Sequence, residues 1–351
     1  MKENSLVRNI LRRLYRRSAP NIVSASEEIS ENAEVRSERD RLIDSAKSIA
    51  ELVRSAGLVG GAFVDASVLK AFQAEGLSLS YNHYYSVIPD LNHLPQNLWD
   101  GQGYSRAWSE IKADDYRPLL NRILNYVAEI AETPSRAETG FFWDNPMFPP
   151  LDAIAYYGII RDIKPSKVLE IGSGYSTHLA VRALEQNGQG TVTCVEPFPE
   201  PFLLELKRDI LSIDSSTVQD APLSIFESLR SGDILFIDTS HTIKTGSDVN
   251  YILFEVLPRL ASGVWIHIHD FFAPFEYPKH WFDDIGIIWN EQYAILAFLM
   301  NNDRYKVVLP NYLASVESET VLAERLAGLD IWDIKMNLGG ARGASLWLTK
   351  L

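Results

Sequence analysis

Residues 167–177, K-V-L-E-I-G-S-G-Y-S-T, constrain the fold of this chain more than any other stretch. Val168, Leu169 and Ile171 form a short apolar run, as a strand buried on both faces requires. Gly172 and Gly174 then permit a tight turn and close approach of a ligand to the backbone. Ser176 or Thr177 caps a helix predicted over 178–186, which Gly188 ends. Strand, glycine turn and helix N-terminus together make a nucleotide-binding corner. An ordinary strand-to-helix turn has the same outline, because Gly-x-Gly pairs are common. Two acids favour the corner. Glu170 is unusual at the end of a buried strand, and Glu196 ends the next predicted strand, 191–195.

Glu196 lies about 20 residues past the glycines, where dinucleotide folds place a ribose-binding carboxylate. The loop departs from G-x-G-x-x-G, since Thr177 stands where the third glycine belongs. E-x-G-x-G followed by an acid at the end of the second strand resembles the class I S-adenosylmethionine (SAM)-dependent methyltransferases. The resemblance runs from about residue 145 to residue 351. N-P-M-F-P-P-L-D before the core, F-I-D-T-S-H, H-I-H-D-F-F-A-P-F-E-Y-P and the late S-L-W-L look like one branch. That branch is related to sugar O-methyltransferases and cephalosporin-hydroxylase-like proteins. It implies a Rossmann-like α/β sheet of seven strands, the last antiparallel and beside the fifth, with helices on both faces. It implies SAM contacts at Glu170, Gly172, Ser173, Gly174, Tyr175 and Ser176. It also implies that Glu196 takes both ribose hydroxyls and that Asp220 accepts from the adenine amino group. For Asp220 a solvated turn before Pro222 is an equally ordinary role.

The formal charge of −13 argues against a nucleic-acid partner, which needs a basic face to neutralise phosphates. No apolar run is long enough to span a bilayer. The single cysteine, Cys194, excludes intramolecular disulfides and Cys-rich zinc sites and fits a reducing cytoplasm. Residues 1–17 read as a basic amphipathic arm without the features of a signal peptide, suited to an anionic membrane surface, a partner or plain solvation. Residues 18–38 read as a polar linker. A helix is predicted over 39–56, with Leu42, Ala46, Ile49 and Val53 as a stripe that packs on its own domain or on a second copy. The aromatic loop 81–85 suits sugar faces or interface packing. A helix follows over 116–130, and the best domain boundary falls at 133–140, giving an accessory region 39–140 and a methyltransferase domain 141–351.

From Pro149 helix and strand alternate, which implies a mostly parallel sheet with helices on both faces. A helix is predicted to about residue 162. The strands fall at 167–171, 191–195, 216–219, 233–237, 264–269, 305–309 and 344–349. Ligands of such sheets sit outside the carboxyl ends of the strands. Asp238 and His241 end the fourth strand, and there His241 serves as general base, with Lys244 a substitute if desolvated. The plainer role for His241 is capping the helix that begins near Thr245. His267, His269 and Asp270 end the fifth strand; alternation sends both histidines to one side. Asp238 and Asp270 are candidate ligands of a shared Mg²⁺ or similar ion. Metal-dependent sugar and catechol methyltransferases use acids at these two ends; the third acid that often follows is here Phe271. The aromatic run 271–289 reads as a wall or lid over the acceptor, or as packing.

The expected activity is O-methylation of a sugar or other polyhydroxylated metabolite by in-line transfer, with His241, Asp238 and His269 as catalytic residues. Two other readings use the same residues. His241, His269 and Asp238 are the ligand types of a non-haem iron oxygenase. Alternatively the fold serves assembly without turnover, through the arm and the helix at 39–56.

Overall fold

The computed structural model describes residues 25–58, 63–101, 103–137, 140–145, 147–329 and 342–351, with side chains from residue 40 onward. The basic arm at 1–17 lies outside the described residues. The chain divides into two compact units, Met1–Gln96 with Phe282–Ile288 and Asn97–Trp281 with Trp289–Leu351. The division expected near residue 140 therefore falls inside the second unit.

In the first unit helix α1 spans Ala25–Ser55. It runs through most of the stretch expected to be a linker. The stretch from Ala25 to Ser55 has neither glycine nor proline and is rich in Ala, Glu and Arg, so backbone propensity outweighs its polar composition. Gly57, at φ 69°, follows its end. The apolar stripe does not pack on its own domain: Leu42 is 65% and Ile49 63% exposed. Helix α2, Ala66–Ala74, is capped by the Asp65 carboxylate, which accepts from Ser67 N at 2.9 Å. In the aromatic loop Tyr84 and Tyr85 are exposed, with ring centroids 4.1 Å apart.

The second unit is built on seven strands: β1 Lys167–Ile171, β2 Thr191–Val195, β3 Leu211–Asp214, β4 Ile234–Ile237, β5 Trp265–His269, β6 Tyr305–Pro310 and β7 Ser345–Lys350. Their order is β3-β2-β1-β4-β5-β7-β6. β1 to β5 are parallel, and β7 runs antiparallel between β5 and β6. Six strands lie where expected. The third lies earlier than 216–219, at the sheet edge, and Val218 is buried from a turn instead. Side chains alternate across the sheet. Val168, Val192, Ile234, Phe236 and Trp347 enter one core; Leu169, Leu235, Ile237, Ile266 and Leu348 enter the other.

Helix α3, Arg117–Ile123, continues as a 3₁₀ segment over Leu124–Glu129, covering most of the predicted 116–130 helix. Helix α4, Pro150–Ile163, packs on α3 and on α5, Tyr175–Asn187, over the first core. Helix α6, Glu291–Leu299, buries Ile295, Leu296 and Leu299 in the second. Among the described residues no helix is long and apolar enough to cross a membrane.

Gly158 of α4 sets the α3–α4 distance. A Cβ there would stand 2.6 Å from Ile123 Cβ and 2.9 Å from Ile123 O. Alanine would return at most about 1 kcal/mol of helix propensity, against about 1–3 kcal/mol for overpacking. Gly158→Ala is expected to lower the unfolding free energy by about 1 kcal/mol in urea titrations, and equal or greater stability would contradict this account of the interface.

Candidate active site

The glycine corner forms where β1, β2 and β4 end together. Gly172 N donates to Val195 O at 3.0 Å and Asp238 N to Ile171 O at 2.9 Å. This crossing leaves no room for a side chain at Gly172: its φ is 90°, and a Cβ would stand 2.6 Å from Asp238 O. Gly174 is extended, and no heavy atom lies within 4 Å of where its Cβ would be, so the loop opens onto free space there. Helix α5 begins at Tyr175, and Thr177 Oγ1 accepts from Gly174 N at 3.1 Å, so Thr177 caps from inside the first turn. Ser173 Oγ is buried without a hydrogen-bond partner. Ser176 is buried, and the Tyr175 ring stacks on Phe202 at 5.5 Å.

Glu170 is fully buried and accepts from Tyr156 Oη at 2.7 Å, Thr177 Oγ1 at 2.5 Å and Cys194 Sγ at 3.4 Å. It therefore supports the glycine turn from beneath, which corrects its expected place among the ligand contacts. Burial raises its pKa to about 7 against the opposing effect of these donors. Glu196 is half-buried at the end of β2, and Phe198 N donates to it at 2.7 Å. Asp220 is exposed and held by its own turn, accepting from Thr217 Oγ1 at 2.7 Å.

A second polar group closes the ends of β4 and β5. His241 is buried, and Glu291 Oε2 lies 2.8 Å from its Nδ1. Asp238 Oδ1 lies 3.2 Å and Asp270 Oδ2 3.4 Å from its Nε2. Burial alone would lower the histidine's pKa. Hydrogen bonds that the ring donates to Asp238 and Glu291, and the charge of Asp270, instead push it well above the usual value. Carboxylates therefore flank both ring nitrogens of His241, Glu291 at Nδ1 and Asp238 and Asp270 at Nε2, and they favour its protonated form. The helix after it is capped by Ser247, not by His241. Lys244 is exposed, so it is not the desolvated substitute. Both His241, at φ 55°, and Asp270, at φ 51°, hold left-handed backbone, a strain of about 1–3 kcal/mol each that collects at functional sites.

The two strand-end acids differ. Burial raises the pKa of Asp270 and prevails over the nearby His269 and His241 charges. For Asp238, whose side chain is still 42% exposed, desolvation is outweighed by the His241 hydrogen bond and the His269 charge, and its pKa falls. An ion shared by these acids would have to stand where the charged His241 Nε2 stands, so the residues do not fit the expected metal. Among the described residues no group of three or more His, Cys, Asp or Glu side chains is placed to hold one. His269 Nε2 lies 3.3 Å from Met147 O, and its Nδ1 is buried without a hydrogen-bond partner among the described residues. His267 is buried against Phe236, ring centroids 4.2 Å apart, as a core residue. The aromatic run after β5 is largely packing: Phe271, Phe272, Tyr277 and Trp281 are buried.

Glu291 and Tyr156 are absent from the sequence reading. Glu291 looks like an ordinary acid in the first turn of a helix, and Tyr156 like one aromatic among many on α4.

Glu170 generates a pH prediction. Its pKa of about 7 in the fold exceeds the ordinary 4.5. A carboxyl with a raised folded pKa contributes stability that is complete below the unfolded value and lost as pH rises through the folded one. Wild type is therefore expected to lose about 2–4 kcal/mol relative to Glu170→Gln between pH 4.5 and 7. Parallel pH–stability curves for the two proteins would refute this assignment.

Residues 169–271 match the sequence model of a methyltransferase domain family. An uncharacterized protein of Archaeoglobus fulgidus is 27% identical over 192 residues, spanning 51% of this chain and 82% of that protein. Among solved structures, the SAH-bound Podospora anserina methyltransferase PaMTH1 is 20% identical, with a TM-score of 0.33 over 45% of this chain and 73% of that one. A putative O-methyltransferase from Klebsiella pneumoniae is 14% identical, with a TM-score of 0.34 over 74% of this chain and 99% of that one. Residues 169–271 are thus similar to a methyltransferase domain family, and the seven-strand order with its antiparallel β7 and the glycine corner give the sheet around them the class I methyltransferase fold.

Proposed function

We propose that this chain is a SAM-dependent O-methyltransferase whose acceptor is a sugar or another polyhydroxylated metabolite. The observation that carries the reading is the pairing of an open glycine corner, flanked by Glu196, with an acid–imidazolium cluster one strand away. The corner fits the cofactor. Gly174 leaves space in front of the backbone, and buried Ser173 Oγ lacks a hydrogen-bond partner among the described residues. SAM supplies a methyl group on a sulfonium, which leaves with the bond's electron pair retained on sulfur. Glu196 takes the ribose hydroxyls, and residues 172–174 line the methionine portion. Asp220 faces the adenine from its turn.

At the acceptor the chain must hold a hydroxyl in line and receive its proton. Asp270 is the better acceptor of the two strand-end acids, because burial raises its proton affinity whereas His241 and His269 lower that of Asp238. His241 fixes both carboxylates and stabilises negative charge developing on the oxygen. His269 adds positive character behind them. This gives the expected His/Asp site a different division of roles, with the carboxylate as base and His241 as positioning residue.

Isothermal titration is expected to show SAM binding that Glu196→Ala weakens by about 1–3 kcal/mol, the range for stranding hydrogen-bonded partners. Binding of NADH in place of SAM would sink the reading. Asp270→Asn is expected to lower kcat about 100-fold with SAM affinity unchanged, within the range for general-base removal. Methyl transfer is expected to survive exhaustive chelation; activity restored only by Mg²⁺ would return a metal to the site.

A further inference from the structure

We infer that the turn around Tyr84 and Val87, in the first unit, seats on a bilayer surface containing anionic phospholipid, with its exposed apolar side chains at the level of the headgroups. The inference is independent of the transferase reading above.

Residues 76–89 contain no Asp, Glu, Lys or Arg, in a chain of which 23% is charged. Among them Tyr84 is 80% and Val87 88% exposed, and Leu77, Tyr85 and Ile88 are exposed as well. Phe63, also exposed, stacks on Tyr85 with ring centroids 5.6 Å apart. Large exposed side chains gathered in this way mark an interaction surface.

The backbone of the turn is prepared to leave water. A bilayer offers a buried N–H no partner, so the N–H must be satisfied within the protein. Ser86 N donates to His83 O at 2.7 Å, Tyr85 N to His83 Nδ1 at 3.3 Å and Ile88 N to Ser86 Oγ at 3.1 Å. Pro89 has no N–H to satisfy. Asp90, the first acid after the turn, is engaged on three sides. It accepts from Asn82 Nδ2 at 2.9 Å and from Asn92 N at 3.0 Å, and it lies 2.8 Å from His93 Nδ1. The two ends of the loop are thereby tied together, and its shape is fixed before binding.

Charge selects lipid over a second copy of the chain. Earlier in the sequence, residues 1–17 hold Lys2, Arg8, Arg12, Arg13, Arg16 and Arg17 against one acid, Glu3. Anionic headgroups attract such a stretch, whereas a second copy would bring the same positive charge against it. The chain as a whole carries −13, so it meets an anionic surface with its basic stretch foremost. Tyrosine, with an apolar body and a polar hydroxyl, belongs to the bilayer interface, and Val87 and Ile88 supply purely apolar surface. Stable attachment takes two weak signals, and the apolar turn and the basic stretch are two.

The test uses the full chain and sedimentation with vesicles of phosphatidylcholine, with and without phosphatidylglycerol. Wild type is expected to sediment with the phosphatidylglycerol vesicles and to be released as salt rises. Val87→Ser, a change at the surface, should leave the melting temperature unaltered and weaken partitioning about tenfold, as loss of one buried valine predicts. Val87→Cys carrying an environment-sensitive dye should shift its emission to the blue on the same vesicles. Cys194, the one thiol of the wild type, is buried and stays unlabelled. No binding of wild type to anionic vesicles, unchanged partitioning of Val87→Ser, or no blue shift from the labelled Val87→Cys overturns the inference. Self-association lost in Val87→Ser, with no vesicle binding by either protein, also overturns it and assigns the surface to a second copy.

Discussion

The glycine corner depends on one buried carboxylate. Glu170 sits at the end of β1 with no exposed surface, and its desolvation is offset by a tyrosine hydroxyl from α4, a threonine hydroxyl from α5 and the thiol of β2. Four elements thus meet on one side chain. A buried carboxylate without such donors would cost far more than a neutral group in its place. With them it fixes the angle at which the chain leaves β1, and so places Gly172 against Asp238 O.

That contact transmits order sideways. Because β4 ends pressed on the glycine turn, Asp238 has its position set by the same crossing that opens the cofactor corner. His241 then gathers Asp238, Asp270 and Glu291 around one positive charge. The cluster draws on β4, β5 and α6, and the strained backbone at His241 and Asp270 is held by this convergence. Removing the imidazole would leave three acids facing one another.

Both the corner and the cluster lie beyond the carboxyl ends of parallel strands, where helix N-termini and loop backbone gather around a crevice. The first turn of α6 also reaches the buried carboxylate of Glu276, which accepts from Tyr293 Oη. Three consecutive residues, Glu291, Gln292 and Tyr293, brace His241, the backbone of the aromatic loop and Glu276.

By itself the sequence determined the β1–turn–α5 corner, because an apolar run, two glycines and a capping residue act within a few residues of one another. It also determined six of the seven strands and the alternation that turns His267 and His269 to one side. It could not place β3, an edge strand with only Leu211 and Ile213 as apolar residues, nor the helical start of α1, whose polar composition masks its propensity. Only the tertiary structure decided the charge of His241. Residue spacing reveals Asp238 three positions away, but Asp270 and Glu291 arrive from β5 and α6, and their combined field reverses what burial alone would do to the ring. The same holds for Glu170, whose role turned from ligand contact to buried support once the fold brought Tyr156 and Cys194 against it.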